Sequence, residues 1–392
     1  MLDTGSKLTQ HGTFFTEADI NIEDFKTLCA QSATLTDYPN AEQIEQNIVI
    51  YSGDKLRTML ANPTTEAEIL AEIARCMVQG PGVFGIKGAY TDNSVIDAAT
   101  DIFFEIIAEE KAAGHGEGDH FGNNERIWNS IQKACIKDPD LFIDYYGNPL
   151  MALAAQAWLG HNYQVTAQVN NVKPHSKAQS VHRDYHLGFQ TPEIVAGYPA
   201  HAQIMSQYLT LQGAIAHIDM PLEMGPTLLL PFSHHYPAGY MAYRKPEFVA
   251  YFEEHHSQIP LSKGDMVYFS PALFHGAGTN ITDKDRLVNL VQISSAFGRT
   301  MENLDQDLMI TAVYPALLKR KEEGNASDRL IANTITACAE GYSFPTNLDT
   351  DPPVAGIAPK TSQQIMHTAL QESWSLDQHQ AELDARTQRR GA

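Results

Sequence analysis

The sequence is poor in cysteine and basic residues. Its 392 residues include 4 cysteines, and 27 Lys plus Arg stand against 47 Asp plus Glu, for a formal net charge of −20. The cysteines are far apart and form no C-x-x-C pair. This is typical of reduced thiols in an intracellular protein, and it disfavours a disulfide framework or a structural zinc site. We therefore expect a cytoplasmic protein.

Long basic and long apolar stretches are also missing. Lys and Arg form blocks only at residues 319–321 and 386–390, which disfavours the broad phosphate-binding face of a nucleic-acid partner. No run approaches the roughly 18 apolar residues of a membrane span. The first 12 residues lack the basic and apolar regions of a signal peptide. We expect a soluble protein that is not exported and binds neither nucleic acid nor membrane.

The hydrophobic pattern predicts three successive segments. Residues 1–79 read as an N-terminal helical extension, because apolar residues recur at helical spacing. Residues 80–299 read as the main domain, and from Tyr163 the apolar residues alternate with period two. Residues 300–392 read as a C-terminal helical extension followed by a polar tail. Packing against the core or a homodimer contact would account for such extensions.

The main domain is predicted to be a mainly β core with helices, of the α+β class, built as a barrel-like antiparallel sandwich. Helices are predicted at 95–111 and 138–159, and strands at 83–88, 163–170, 205–218, 227–231, 266–270 and 286–297.

Three His-x-Asp/Glu triplets occur: His115/Glu117, His182/Asp184 and His217/Asp219. About two are expected by chance from 16 His and 47 acidic residues in 392, so a triplet alone is a weak signal. On an extended strand, side chains two residues apart point the same way and present two ligands to one metal ion. We expect the stretch 181–189 to be such a strand.

His275 and Arg286 favour the second triplet. His275 follows a predicted strand and precedes glycines, a position that suits a third metal ligand. Arg286 opens an apolar strand, where burial is costly unless the guanidinium binds an anion such as a carboxylate. Two His and one carboxylate leave metal positions open for a co-substrate and dioxygen, as ferrous oxygenases require.

Three stretches together resemble the phytanoyl-CoA dioxygenase family of iron(II)/2-oxoglutarate oxygenases. They are residues 182–184, residues 222–234 and residues 264–292, within a resemblance that covers about 80–297. Met224 stands where the family often has Asn, and Phe232 where it often has Gly. We expect these departures to reshape a hairpin and leave the site in place.

The resemblance implies a double-stranded β-helix core in which His182, Asp184 and His275 bind Fe(II). It further implies that Arg286 binds the far carboxylate of 2-oxoglutarate, with O2 as second co-substrate. Thr227 is the candidate for another hydrogen bond there, and Gln168 for contact with the other end of the co-substrate. The expected reaction oxidises a C–H bond of a small organic molecule, releasing succinate and CO2. Hydroxylation or another C–H oxidation, such as desaturation or ring formation, is preferred over halogenation because Asp184 supplies a carboxylate.

The remaining polar residues receive weaker interpretations. His217/Asp219 is expected not to bind metal, and His115/Glu117 to lie in a solvated loop. His120 and Arg126 are candidates for substrate contact from a lid. His186 remains open between support of the ligands and ordinary strand polarity. The pairs at 234–235 and 255–256 are expected at the surface or beside the site.

Two alternative functions remain open from the sequence. A cupin-like metalloenzyme, a hydrolase or isomerase using zinc, nickel or manganese instead of 2-oxoglutarate, predicts no role for Arg286. A metal-free binding protein predicts no bound iron. For an oxygenase, a small carboxylate, amino acid or natural-product intermediate suits the acidic chain better than the phosphates of a CoA thioester.

Overall fold

The computed structural model describes residues 13–114 and 124–391. The strands are β1 (Gln43–Glu45), β2 (Ile48–Ser52), β3 (Val83–Lys87), β4 (Asn124–Ile127), β5 (Gln164–Val172), β6 (Thr210–Ala216), β7 (Leu228–Leu230), β8 (Met266–Phe269), β9 (Phe274–Gly276) and β10 (Arg286–Ser294).

The helices of the first half are α1 (Ile22–Cys29), α2 (Gly53–Met59), α3 (Pro63–Val78), α4 (Asn93–Ala112), α5 (Ser130–Lys137), α6 (Pro139–Tyr146) and α7 (Pro149–Leu159). Those of the second half are α8 (Pro192–Ala196), α9 (Ala200–Ser206), α10 (Gly239–Ala242), α11 (Pro246–His255), α12 (Gln306–Glu322), α13 (Asp328–Cys338), α14 (Ser362–Glu372) and α15 (Leu376–Arg390). Short 3-10 turns lie at Glu17–Asp19, Leu222–Met224 and Ser233–His235.

The strands form a larger and a smaller sheet. The larger sheet has the order β1-β2-β3-β8-β6-β10-β5-β4, and the smaller sheet pairs β7 with β9. Strand β8 lies antiparallel between β3 and β6. In the smaller sheet Leu229 faces His275 across the antiparallel pair. The expected α+β class, with a mainly β core and added helices, is confirmed.

The first 79 residues are not purely helical. Strands β1 and β2 lie between the predicted helices, and β2 pairs in parallel with β3. Ile48, Val49, Ile50 and Tyr51 are all fully buried. A continuous apolar run is typical of a strand covered on both faces and lacks the alternation that marks a half-exposed strand. For this reason the spacing of apolar residues did not predict β2.

Two compact units make up the chain. The first contains Met1–Asn93, Gly116–Arg126 and Val169–Val291, and the second contains Ser94–His115, Ile127–Gln168 and Gln292–Ala392. The three-segment division at residues 79 and 299 stays a prediction. Within the described residues, no helix is both long and apolar enough to cross a membrane. All four cysteines are free, as expected.

Three element predictions need correction. The single helix over 138–159 is two helices, because Gly147 ends α6 and Asn148 caps α7. The strand predicted from residue 205 begins at Thr210, after helix α9. The polar tail forms helix α15, whose buried side chains are His379, Leu383 and Arg386. Their spacing of four and three residues is the helical signal that the polar composition concealed.

Candidate metal centre

Three side chains of the first unit converge on one point. One potential ligand atom each from His182, Asp184 and His275 lies within 4.8 Å of the other two. Among residues 13–114 and 124–391 this is the one cluster of three or more His, Cys, Asp or Glu that has such geometry. The triplet that the sequence favoured, His182/Asp184, is the one that lies beside His275 in the described part of the chain, and its role as metal ligands stays a prediction.

Backbone hydrogen bonds hold the two histidines side by side. His182 N–H donates to the His275 carbonyl at 2.9 Å, and His275 N–H donates back to the His182 carbonyl at 3.1 Å. This antiparallel bridge attaches residue 182 to β9. Asp184 N–H donates to the Pro271 carbonyl at 2.8 Å. The chain is therefore extended from residue 182 to residue 184, and the side chains of these two residues point to the same side, as predicted for a strand.

The predicted strand over 181–189 does not form. His182 makes an isolated bridge, and the chain turns directly after Asp184. Tyr185 and His186 have φ angles of 52° and 47°, in the left-handed region that L-residues rarely adopt. The two ligands consequently lie at the end of a short extended piece, and His186 is out of phase with them. Its Nε2 lies 3.3 Å from the Thr210 hydroxyl oxygen.

The tautomer of each histidine follows from its backbone contact. Nδ1 of His182 lies 2.9 Å from the Ser180 carbonyl, and Nδ1 of His275 lies 2.7 Å from the Leu273 carbonyl. A carbonyl only accepts, so each Nδ1 carries the proton and each Nε2 presents a lone pair. Burial, with a smaller contribution from the charge of His275, lowers the pKa of His182 and favours its neutral form.

Both Nε2 lone pairs face the carboxylate of Asp184. Nε2 of His275 lies 3.4 Å from Oδ2, and Nε2 of His182 lies 3.8 Å from Oδ1. Burial raises the pKa of Asp184, but His182, His275 and Gln212 together outweigh burial and lower it to about 2. A carboxylate facing two lone pairs is unfavourable unless a cation lies between them. The donor set therefore fits a divalent transition metal held by two imidazoles and one carboxylate.

Gln212 on β6 is a site residue that the sequence did not identify. Its side-chain amide donates to Oδ2 of Asp184 at 2.6 Å. Its own Oε1 is buried and has no hydrogen-bond partner in the described part of the chain. Gln212 and Asp184 are 28 positions apart in the sequence, so a local sequence pattern cannot predict their contact. Hydrogen bonds of this kind orient a metal-binding carboxylate.

Arg286 is buried at the start of β10. Its Nη1 donates to the carbonyls of Met224 (2.8 Å), Gly225 and Gly278 (3.3 Å). Burial lowers its pKa to about 10, so the guanidinium remains charged at neutral pH. Thr227 follows the same turn, is half-buried and directly precedes β7. Binding of the co-substrate by Arg286 and Thr227 stays a prediction.

The other candidates are placed as follows. Gln168 is buried on β5, and its side-chain amide lies 3.5 Å from the Gln292 side-chain oxygen. Arg126 is half-buried on β4. His120 and the triplet His115/Glu117 lie outside the described residues. The proposed roles of Gln168, Arg126 and His120 in ligand binding stay predictions.

Two further expectations concern histidines away from the metal. Asp219 accepts a hydrogen bond from the Lys263 N–H, and neither it nor His217 belongs to the metal cluster of the described residues. The surface position considered for His234 is wrong. Its side chain is 4% exposed, and its Nε2 lies 3.0 Å from the Met77 carbonyl at the end of α3.

The fold and site were compared with known proteins. The family model described as Phytanoyl-CoA dioxygenase (PhyH) matches residues 65–288. The chain belongs to the phytanoyl-CoA dioxygenase family. It is therefore a non-haem iron, 2-oxoglutarate-dependent oxidoreductase, with Fe(II) as its metal and 2-oxoglutarate and O2 as co-substrates. The expected double-stranded β-helix core is the fold of this family.

Several solved structures are similar at low identity. The non-heme alpha ketoglutarate dependent epimerase SnoN from nogalamycin biosynthesis is 17% identical, with a TM-score of 0.39 over 60% of this chain and 84% of that chain. The carbocyclase SnoK from the same biosynthesis is 18% identical, with a TM-score of 0.41 over 57% and 83%. EvdMO1 is 16% identical, with a TM-score of 0.40 over 58% and 50%. A comparison with curated protein sequences gives no match.

Proposed function

We propose that this enzyme hydroxylates a C–H bond of a small organic molecule at the centre formed by His182, Asp184 and His275. The overall reaction converts the substrate, O2 and 2-oxoglutarate into the hydroxylated product, succinate and CO2. One oxygen atom of O2 enters the product and the other enters succinate. Electrons and atoms balance without a further reductant.

The orientation of the two imidazoles is the observation that supports this most strongly. Each ring is fixed by a backbone carbonyl at Nδ1, so both Nε2 atoms are available beside an ionised carboxylate. Bound iron supplies the open coordination positions and the redox chemistry of O2 activation. Asp184 contributes one negative charge, and Gln212 holds its carboxylate through Oδ2.

Arg286 is proposed to bind the distal carboxylate of 2-oxoglutarate. A guanidinium can donate two parallel hydrogen bonds to a carboxylate, and such pairs are stronger when buried from water. Thr227 is proposed to add a hydroxyl hydrogen bond at the same end. Gln168 is proposed to contact the other end of the co-substrate.

The substrate class follows from charge. The chain has a net charge of −20 and lacks a broad run of Lys and Arg, which is a poor setting for the phosphates of a CoA thioester. A small carboxylate, amino acid or natural-product intermediate is favoured, with His120 and Arg126 as candidate contacts. Hydroxylation is favoured over halogenation because the Asp184 carboxylate takes the metal position that a halide would need. A cytoplasmic location and a homodimer through the helical extensions stay predictions from the sequence.

Replacement of the ligands tests this function without knowledge of the substrate. Alanine at residue 182, 184 or 275 should reduce iron-dependent conversion of 2-oxoglutarate to succinate by more than about 100-fold, since even loss of a residue supporting a ligand typically costs 10–100-fold. The control is His255→Ala, at the partly exposed end of α11. It should retain wild-type conversion. Undiminished turnover in the double variant His182→Ala/Asp184→Ala would overturn the ligand assignment.

The type of oxidation needs a second measurement. Once a screen by succinate release has found a substrate, its product should carry one oxygen atom from isotopically labelled O2. A product without added oxygen would indicate desaturation or ring closure instead. Full activity without 2-oxoglutarate would favour the cupin-like hydrolase or isomerase.

A further inference from the structure

The largest fully buried side chain of the described residues lies between two of the proposed metal ligands. Arg183 is 0% exposed, although a lone buried guanidinium is costly. Among the described residues it has no carboxylate partner, and its Nε and Nη1 have no hydrogen-bond partner. Such a residue needs an explanation beyond packing, because an apolar side chain of similar volume would avoid the cost of burying a charge.

The side chain of Arg183 points away from the metal centre and binds to the opposite side of its chain segment. Its Nη2 donates to the Ser233 carbonyl at 2.7 Å and the Tyr236 carbonyl at 3.2 Å. Its Cζ lies 5.1 Å from the ring centroid of Tyr240 and 5.2 Å from that of Phe274. Both distances are within the range of cation–π attraction.

Phe274 connects this contact with the third ligand. It directly precedes His275 on β9, and successive side chains of a strand point to opposite faces. His182 and His275 are paired across the bridge, so their rings lie on the metal side. Arg183 and Phe274 meet on the other side. One contact behind the site therefore joins the chain segments that carry all three ligands.

Backbone hydrogen bonds hold His182 and Asp184 only over a short stretch, through the pair with His275 and the bond from Asp184 N–H to the Pro271 carbonyl. Residue 182 makes an isolated bridge, and the left-handed residues Tyr185 and His186 follow Asp184 at once. Metal ligands must be held within about 0.5 Å of their working geometry by their surroundings. A side-chain attachment can supply that precision where a regular strand is missing.

Gly239 at the start of α10 provides independent evidence that the fold leaves space for the Arg183 guanidinium. A Cβ atom built on Gly239 would lie 2.0 Å from Cζ of Arg183. Any residue larger than glycine would therefore displace the guanidinium. The first turn of α10 is adapted to the position of Arg183.

We propose that Arg183 is a positioning residue that sets the spacing of His182 and Asp184 against His275, and hence the affinity of the site for its metal. The proposal rests on the ligand assignment of the proposed function. It makes Arg183, Phe274, Tyr240 and Gly239 parts of the metal centre, although none of them reaches the metal.

Arg183→Met separates positioning from stability. The substitution removes the charge and the planar set of guanidinium N–H donors, while the methionine side chain fills a similar volume. The Ser233 and Tyr236 carbonyls each keep a backbone partner, the N–H groups of Tyr236 and Gly239 respectively. Replacement of buried charge by an apolar group is often neutral or stabilising. We expect the metal-free variant to melt at or above the wild-type temperature, yet to bind Co²⁺ at least about tenfold more weakly, in the range caused by loss of ligand-supporting residues.

The measurement is calorimetric titration of the metal-free protein with Co²⁺ alone, well below the melting temperature, with the Co²⁺ absorption spectrum as a report on ligand geometry. Arg183→Lys keeps the charge but not the planar set of donors, and should show intermediate affinity. Arg386→Met, which removes the buried arginine of the second unit, should bind Co²⁺ as the wild type does.

The outcomes are distinguishable. Wild-type Co²⁺ affinity and spectrum in Arg183→Met overturn the proposal, and if that variant does not fold, the same result in Arg183→Lys does so. Should neither variant fold, hydrogen exchange of the wild type decides. Co²⁺ should slow exchange at residues 233–243, and unchanged exchange there contradicts the proposal. Asp184→Ala is measured alongside, because undiminished Co²⁺ binding in that variant refutes the ligand assignment itself.

Discussion

Buried arginines have different hydrogen-bond partners in the two units. In the second unit, Arg386 is 3% exposed and its Nη2 donates to the Glu340 carboxylate at 3.0 Å. In the first unit, Arg183 and Arg286 are 0% and 4% exposed, and the hydrogen bonds that they donate go to backbone carbonyls. Arg386 satisfies the usual rule that a buried charge is paired with an opposite charge. Among the described residues of the first unit, Arg183 and Arg286 have no carboxylate partner.

We interpret this difference as one between a cation that stabilises the fold, Arg386, and two cations with proposed roles at the metal centre, Arg183 and Arg286. An arginine whose charge is already neutralised has little to offer a ligand. Arg286 retains its charge and contacts the turn that precedes Thr227, an arrangement that suits the binding of a carboxylate. Arg183 retains its charge between two metal ligands, where its contacts with carbonyls and rings restrain the chain.

The largest effect should come from Arg286. Arg286→Met should raise the KM for 2-oxoglutarate by about 100-fold, because it removes charge-assisted hydrogen bonds worth about 1.5–3 kcal/mol each. Arg286→Lys should raise it by about 10-fold, since the ammonium keeps the charge but not the two parallel donors. Steady-state succinate formation at varied 2-oxoglutarate measures both changes.

Metal binding provides the control for this prediction. Both Arg286 variants should bind Co²⁺ as the wild type does, because the side chain is not among the proposed ligands. A KM for 2-oxoglutarate that is unchanged in Arg286→Met would remove the contrast between the units and show that Arg286 does not bind the co-substrate.

A smaller effect, of another kind, is expected for Arg386. Arg386→Met should lower the free energy of unfolding by about 2 kcal/mol, the order expected for breaking a charge-assisted hydrogen bond. The loss is limited because Arg390 also donates to Glu340, at 2.8 Å. Urea denaturation measures the change. The KM for 2-oxoglutarate should stay at the wild-type value, and a raised KM would show that the second unit also serves the site.

Much of the fold could be predicted because its elements carry local signals. Helix α4 spans Asn93–Ala112, within two residues of the predicted 95–111. Strand β5 follows the alternation that starts at Tyr163. Strand β2 was missed because a run buried on both faces has no period, and α15 because its apolar spacing is hidden by polar neighbours.

The site was predictable where its residues have distinctive chemistry and order. His182, Asp184, His275 and Arg286 were predicted in this way, and the geometry brings the first three together. The supporting residues were not found. Gln212 and Phe274 become important only through contacts across the fold, and the turn at Tyr185 depends on backbone angles that composition does not report.

The most direct test of the central claim is the iron content of the protein after anaerobic reconstitution with Fe²⁺ and removal of excess metal. The wild-type protein should retain one iron per chain, whereas Asp184→Ala should retain almost none under the same conditions. An equal iron content in the two proteins, or no iron in the wild type, would contradict the assignment of His182, Asp184 and His275 as the metal centre.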